Sequence, residues 1–69
     1  MVMRPYEGSK PRCAKGVYID ESAQVIGQVS VGADSSLWPM VVVRGDVNTI
    51  TIGARTSIQD GTIIHATHD

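Results

Sequence analysis

The sequence predicts an all-β solenoid, and three observations support this prediction. Aliphatic residues recur at every sixth position over much of the chain. Valine and isoleucine are frequent while phenylalanine is absent, a composition that suits thin β-rich layers better than a thick globular core. The period of six also differs from the helical period of 3.6 and from the two-residue alternation of a hairpin sheet. Such a repeat predicts a short strand, a turn and another short strand.

The first sixteen residues show no period and carry prolines and a glycine. We interpret residues 1–16 as an irregular lead-in, with room for one short strand that covers the first coil. The period then holds through two linked registers, which are Ile19, Val25, Val31, Leu37 and Val43, followed by Ile52, Ile58 and Ile64. Between the two registers the count slips by three residues, which we place around 48–51.

The composition excludes several classes of protein. A net charge of -1 without a cluster of lysine and arginine argues against a nucleic-acid-binding surface. The single cysteine, Cys13, cannot form an internal disulfide, and no apolar run marks a signal peptide or a membrane span. We therefore expect a cytoplasmic protein. A chain of 69 residues buries too little surface to be very stable alone, so a metal or self-association is expected to support it.

The run "VIGQVSVGADSSLWPMVVVRGD" resembles the hexapeptide-repeat proteins. The resemblance implies a left-handed parallel β-helix with about 18 residues in each triangular coil. Residues 17–69 would form this β-helix and supply somewhat under three coils, so we expect it to be truncated at its C-terminal end or completed by another segment. In such a coil the repeated aliphatic residue points inward and the second residue of each hexad points outward.

The small or β-branched fifth residue of each hexad would lie near a corner of the coil. These residues are Ala23, Val29, Ser35, Val41, Val47, Thr56 and Thr62. The outward second positions include Trp38, which we expect to pack on the surface or at an interface. They also include Arg44, Gln59 and His65. Arg44 and His65 lie one coil plus the slip apart, so they should stack on one face, with Gln59 on the preceding face.

The segments "VVVRGDVNTITIG" and "RTSIQDGTIIHATH" resemble the γ-class carbonic anhydrases more specifically. That resemblance implies a homotrimer in which three histidines from neighbouring subunits hold zinc, with iron or cobalt as alternatives. His65 matches the first of these histidines. Arg44 and Asp46 match a charged pair that orders the interface and supports the site, and Gln59 matches a side chain that hydrogen-bonds metal-bound hydroxide. The implied substrates are carbon dioxide and bicarbonate.

Three neutral imidazoles leave zinc an open position for water, whose pKa falls to about 7 in carbonic anhydrase, a value taken from another fold class of that enzyme. One imidazole cannot hold catalytic zinc firmly, so this chain alone should be inactive. The other two ligands have no counterpart here. His68 could chelate beside His65 only if a turn formed between them.

Two departures from the best-characterised family member bear on activity. Ser57 stands where that member has an asparagine beside the metal solvent, and Val47 stands where it has an acid implicated in catalysis. Two other functions therefore stay open beside reversible hydration of carbon dioxide. One is a non-catalytic trimeric scaffold or binding protein on the same fold. The other is a hexapeptide acyltransferase, which fits the hexads but not the joint RGD and QDG signatures.

Overall fold

The computed structural model describes residues 2–65, and for Val47 its backbone only. Eight strands follow one another along this part of the chain, which are β1 (Val2–Arg4), β2 (Arg12–Cys13), β3 (Tyr18–Ile19), β4 (Gln24–Val31), β5 (Ser36–Leu37), β6 (Val42–Ile52), β7 (Ser57–Ile58) and β8 (Ile63–His65). All pairings between these strands are parallel. The predicted all-β solenoid is confirmed.

The strands stack in two sheets. One has the order β1-β4-β6-β8, with β2 also paired to β4, and the other has the order β3-β5-β7. Backbone hydrogen bonds join each coil to the next, as when Gln24 N donates to Val41 O at 2.8 Å and Val42 N donates to Thr62 O at 2.9 Å. Each position of the triangular coil therefore recurs once per coil, and side chains at equivalent positions stack in columns along the solenoid axis.

The hexad frame correctly predicts which side chains face inward. The core consists of Ala23, Val25, Val29, Val31, Leu37, Val41, Val43, Ile50 and Ile52. Ser35 is buried at a corner position, where its hydroxyl donates to Gly53 O at 2.8 Å and accepts from Thr56 N at 3.1 Å. In the last described coil Ile58 and Ile64 are only half-buried and Thr62 is exposed. The repeat thus buries its aliphatic column fully only where coils lie on both sides.

The three-residue slip lies earlier than predicted. Gly27 pairs with Gly45, and pairing resumes with Val29 opposite Ile50, so residues 46–49 face the single residue Gln28. Ile50 therefore occupies the corner position above Val29 that we had expected Val47 to fill. The side chain of Val47 lies outside the described part. A hexad count placed the slip wrongly because Val47 and Ile50 are both β-branched residues that suit a corner.

The lead-in is more regular than predicted. Both β1 and β2 pair with β4, so the lead-in contributes two short strands rather than one. A bend at 6–9 separates them, closed by hydrogen bonds in both directions between Tyr6 and Ser9 at 2.8 and 3.0 Å. Met3 packs against the core beneath the first coil. Sequence periodicity missed these strands because each is too short to show one.

Candidate functional site

Arg44 and His65 are direct neighbours on the outer face of the longer sheet. Arg44 lies on β6 and His65 on β8, and the two are register partners. Their side chains meet with 3.0 Å between Arg44 Nη2 and His65 Nε2. A guanidinium group can only donate, so this contact is a hydrogen bond when Nε2 is the unprotonated nitrogen of the ring. The predicted stacking of these two residues is confirmed.

Asp46 completes a cluster with these two side chains. Its Oδ2 atom lies 3.6 Å from Arg44 Nε, and its Oδ1 atom lies 3.2 Å from His65 Nε2. Nε2 cannot accept from Arg44 and donate to Asp46 at the same time, so the two contacts belong to different protonation states of the ring. Asp46 Oδ1 is buried and has no hydrogen-bond partner within residues 2–65.

A buried acceptor without a donor costs roughly 1–3 kcal/mol, so the position favours a further donor or a cation from outside the described residues. No group of three or more His, Cys, Asp or Glu residues in the range 2–65 is arranged to hold a metal ion. The cluster offers one imidazole and one unsatisfied carboxylate oxygen. The cluster therefore suits a metal site that is shared with other residues, and it does not form a complete metal site by itself. His68, considered above as a second ligand, lies outside the described residues.

Gln59 lies on the other sheet, directly after β7, and is exposed as predicted. Its Nε2 atom donates to Ser57 Oγ at 2.6 Å. Among the described residues its hydrogen bond therefore goes to Ser57 rather than to the cluster of Arg44, Asp46 and His65. An amide whose nitrogen is held in this way keeps its oxygen free to accept another hydrogen bond.

Trp38 takes part in the same hydrogen-bonding network as Gln59. Its indole Nε1 donates to Ser36 Oγ at 3.0 Å and to Ser57 Oγ at 3.1 Å. The ring packs against Tyr18, with 5.1 Å between ring centroids. Sequence reasoning predicted a packing role for Trp38 and missed this network. The register between coils could have indicated the network. Leu37 pairs with Ile58, so the residues that follow them, Trp38 and Gln59, are neighbours.

A concavity of the described residues lies apart from the predicted site residues. A cleft of about 520 Å³ separates the lead-in from β4 and β6, and its lining includes Lys10, Arg12, Gln28 and Thr49. No predicted site residue lines it. The cluster around His65 is instead an open surface, as expected for a site completed by another segment or subunit. Within residues 2–65 no helix is long and apolar enough to cross a membrane.

Comparison with known proteins places the chain among hexapeptide-repeat proteins. Protein YrdA of Escherichia coli K12 is 51% identical over 67 residues, which are 97% of this chain and 36% of that protein. Mitochondrial gamma carbonic anhydrase 2 of Arabidopsis thaliana is 49% identical over 55 residues, covering 80% of this chain and 20% of that protein. The carbonic anhydrase of Geobacillus kaustophilus is 39% identical over 61 residues, covering 88% of this chain and 34% of that protein. No protein-family model matches the chain.

A solved structure supports the fold. The hexapeptide transferase family protein of Anaplasma phagocytophilum superposes with a TM-score of 0.71 at 28% identity, over 90% of this chain and 49% of that chain. With the parallel sheets described above, this similarity confirms a left-handed parallel β-helix. The chain spans between 20% and 36% of the length of the curated relatives named here. It matches the N-terminal portion of the hexapeptide-repeat, γ-class carbonic anhydrase-like family.

Proposed function

We propose that this chain is the N-terminal part of a γ-type carbonic anhydrase that interconverts carbon dioxide and bicarbonate with a bound metal ion. The observation that supports this most is the meeting of Arg44, Asp46 and His65 on one outer face, with Nε2 of the histidine 3.0 Å from Arg44 and 3.2 Å from Asp46. Zinc is the proposed metal, with iron or cobalt as alternatives. When bound, such an ion supplies Lewis-acid activation of water.

Each of the four proposed site residues has its own role. His65 offers an imidazole, which binds metals in its neutral form. Arg44 now donates to the Nε2 atom, so a metal at that atom would replace this hydrogen bond. Asp46 Oδ2 lies 3.6 Å from Arg44 Nε. This contact keeps the guanidinium beside the imidazole ring and limits how far Arg44 can move. Gln59 presents a free amide oxygen that orients a reacting solvent molecule by accepting its proton in a hydrogen bond.

The two other imidazoles would come from residues outside this chain, in a homotrimer whose subunit interfaces contain the metal. This arrangement explains why the described cluster is exposed and incomplete. The 69-residue chain alone should therefore show no hydration activity. A cytoplasmic location stays a prediction, and relatives from Arabidopsis thaliana are named as mitochondrial.

A chimera tests the proposal without assuming the sequence of the missing coils. This chain replaces the matching segment of the Geobacillus kaustophilus carbonic anhydrase, and zinc content and stopped-flow hydration are measured on the purified protein. We expect the chimera to bind zinc and hydrate carbon dioxide. His65→Ala should abolish zinc binding, whereas Gln59→Ala should keep zinc and slow hydration roughly 10- to 100-fold.

Gln24→Ala serves as the matched control for Gln59→Ala. Gln24 is also an amide, half-buried, and its side-chain hydrogen bond goes to Arg4 at 2.8 Å rather than to Arg44, Asp46 or His65. This variant should keep both zinc and turnover. Unchanged zinc content in a folded, trimeric His65→Ala chimera would remove His65 from the metal site. A chimera that binds zinc but hydrates no carbon dioxide would favour the scaffold function, for which Ser57 and Val47 already depart from the best-characterised family member.

A hexapeptide acyltransferase is the third candidate after the scaffold, and it is kept because the solved neighbour is named a hexapeptide transferase family protein. That activity would require an acyl-CoA site between coils of adjacent subunits. Calorimetric titration of the chimera with acetyl-CoA separates the two functions. The transferase would be favoured if the chimera bound acetyl-CoA, kept this binding in His65→Ala and showed no hydration activity.

A further inference from the structure

The side chain of Gln59 is held by a hydrogen-bonded chain that begins at the indole of Trp38. Ser57 Oγ receives two donors, which are Trp38 Nε1 at 3.1 Å and Gln59 Nε2 at 2.6 Å. A serine hydroxyl has two acceptor lone pairs and one proton. With both lone pairs occupied, its remaining proton must point to another acceptor. In this arrangement the Gln59 amide turns its nitrogen toward Ser57 and its oxygen away from it.

The indole holds the Ser57 hydroxyl in place. An indole nitrogen can only donate, so Ser57 accepts from it, and the hydroxyl is kept where Gln59 bonds to it. Without this donor, Ser57 is free to rotate and Gln59 loses a fixed anchor. Ser36, in the same coil as Trp38, accepts from the same N–H at 3.0 Å.

The ring of Trp38 is also held in place. It packs on Tyr18 with 5.1 Å between centroids and an angle of 43° between ring planes, within the range of favourable aromatic pairs. Tyr18 in turn donates its hydroxyl to Asp20 at 3.0 Å. Three coils therefore contribute to the support, through Tyr18 in the first, Ser36 and Trp38 in the second, and Ser57 with Gln59 in the third.

We infer that Trp38 is a positioning residue that acts through Ser57 to hold the Gln59 side chain in place, so that Gln59 meets the reacting solvent in a fixed position. The inference gives Ser57 a function although it departs from the asparagine of the best-characterised family member. It rests on the proposed role of Gln59 for its catalytic meaning, whereas the hydrogen-bonded chain itself does not depend on any activity.

The first test is carried out on the 69-residue chain labelled with ¹⁵N. The Gln59 side-chain amide signals are assigned by their loss in Gln59→Ala, and the indole signal is unique because the chain has one tryptophan. Trp38→Phe keeps an aromatic ring but removes the donor. We expect it to shift the Gln59 amide signals and to speed their hydrogen exchange roughly three- to tenfold, as for the loss of one hydrogen bond.

Two variants separate positioning from a general loss of structure. Ser57→Thr keeps the hydroxyl and should preserve the Gln59 signals, whereas Ser57→Ala should shift both these signals and the indole signal. Tyr18→Phe keeps the ring contact and should leave Gln59 unchanged. Gln59 signals that stay fixed in Trp38→Phe would overturn the inference, as would an equal effect of Tyr18→Phe.

The second test uses the chimera described above. Trp38→Phe should lower kcat roughly three- to tenfold with zinc content and KM retained, since one orienting hydrogen bond is lost. A matching loss of zinc would show a structural role instead and would contradict positioning. If the unmodified chimera does not hydrate carbon dioxide, the proposed function fails, and the amide signals still decide whether Trp38 positions Gln59.

Discussion

Asp20 stabilises the turn after β3 by accepting several hydrogen bonds. Ser22 donates to its Oδ2 atom from both its hydroxyl, at 2.7 Å, and its backbone N–H, at 2.9 Å. Tyr18 donates its hydroxyl to Oδ1 at 3.0 Å. These bonds favour the charged carboxylate, and they lower the pKa of Asp20, with Ser22 the largest cause and Tyr18 a smaller one. Ser22 also accepts from Met40 N at 2.8 Å, which links this turn to the next coil.

The lowered pKa of Asp20 predicts a pH dependence of stability. A carboxyl group whose pKa is lower in the folded state stabilises the fold fully above its unfolded pKa, near 3.8, and this contribution is lost as pH falls through the folded pKa. We therefore expect the urea midpoint of the chain to decrease in acid more steeply than that of Asp20→Asn. Because asparagine cannot ionise, the variant isolates this group. Parallel pH profiles for the two proteins would show that Asp20 contributes nothing.

Single side chains mark the limit of what the sequence could predict at the site. The hexad frame correctly predicted that Arg44 and His65 stack, because that follows from register alone. It did not predict the bond from Trp38 to Ser57, since that depends on the rotamers of both side chains. The contact of Asp46 with the imidazole was likewise beyond a period count, because Asp46 lies at the start of the slip.

The strands β4 and β6 bend together at a pair of glycines. Gly27 has a φ of +79°, which glycine adopts without strain, and it pairs with Gly45 at the point where the register shifts. A Cβ atom on Gly45 would collide with the backbone of Gln28. The slip therefore needs a glycine on both strands, and it is this bend that carries Asp46 toward His65 just beyond it.

Gly45→Ala should destabilise the chain for this reason. We expect a loss of about 1–3 kcal/mol in the free energy of unfolding, since the added methyl group meets backbone rather than a mobile side chain. Gly53→Ala is the matched control, because the nearest atom to its new Cβ would be Thr56 Oγ1 at 3.8 Å. That variant should be neutral or slightly stabilising. Urea denaturation of both variants tests the prediction, and equal midpoints would contradict the close approach.

Strands that belong to the six-residue repeat were predicted well, whereas short strands outside the repeat were not. The repeated aliphatic residues from Ile19 to Ile64 face inward as the period requires. The lead-in strands β1 and β2 carry three and two residues, so no period could have shown them. The place of the slip was also ambiguous, since Val47 and Ile50 suit a corner equally and only the coil below decides between them.

The molecule as a whole leaves its last described coil partly uncovered. Ile63 is 72% exposed, and the cluster of Arg44, Asp46 and His65 lies on the same face. An apolar side chain beside charged ones on an open face suits contact with another segment or subunit. This arrangement supports the proposed trimer, in which Arg44 would lie at the interface.

Arg44→Ala should therefore weaken the trimer more than it weakens the fold. Arg44 and Asp46 form a partly exposed pair at 3.6 Å, so Arg44 should contribute at most about 1 kcal/mol to the stability of one subunit. In the chimera we expect trimer dissociation to become roughly tenfold easier, equivalent to about 1.4 kcal/mol. Arg4→Ala removes the same charge from the same face two strands away and should leave the trimer intact. Sedimentation velocity at low concentration compares the two, and an intact Arg44→Ala trimer would count against an interface role.

The most direct test of the account is whether Arg44 and His65 are adjacent in solution. In a Cys13→Ser background, Arg44→Cys with His65→Cys places two thiols on neighbouring strands, where the Cα atoms lie about 4.8 Å apart and a disulfide can form. Arg44→Cys with Arg4→Cys spans roughly twice that distance, which is too far to bridge. Mild oxidation should give an intramolecular crosslink rapidly in the first pair and not in the second. Equal crosslinking of both pairs, or none in the first, would contradict the stacked coils on which the proposed site depends.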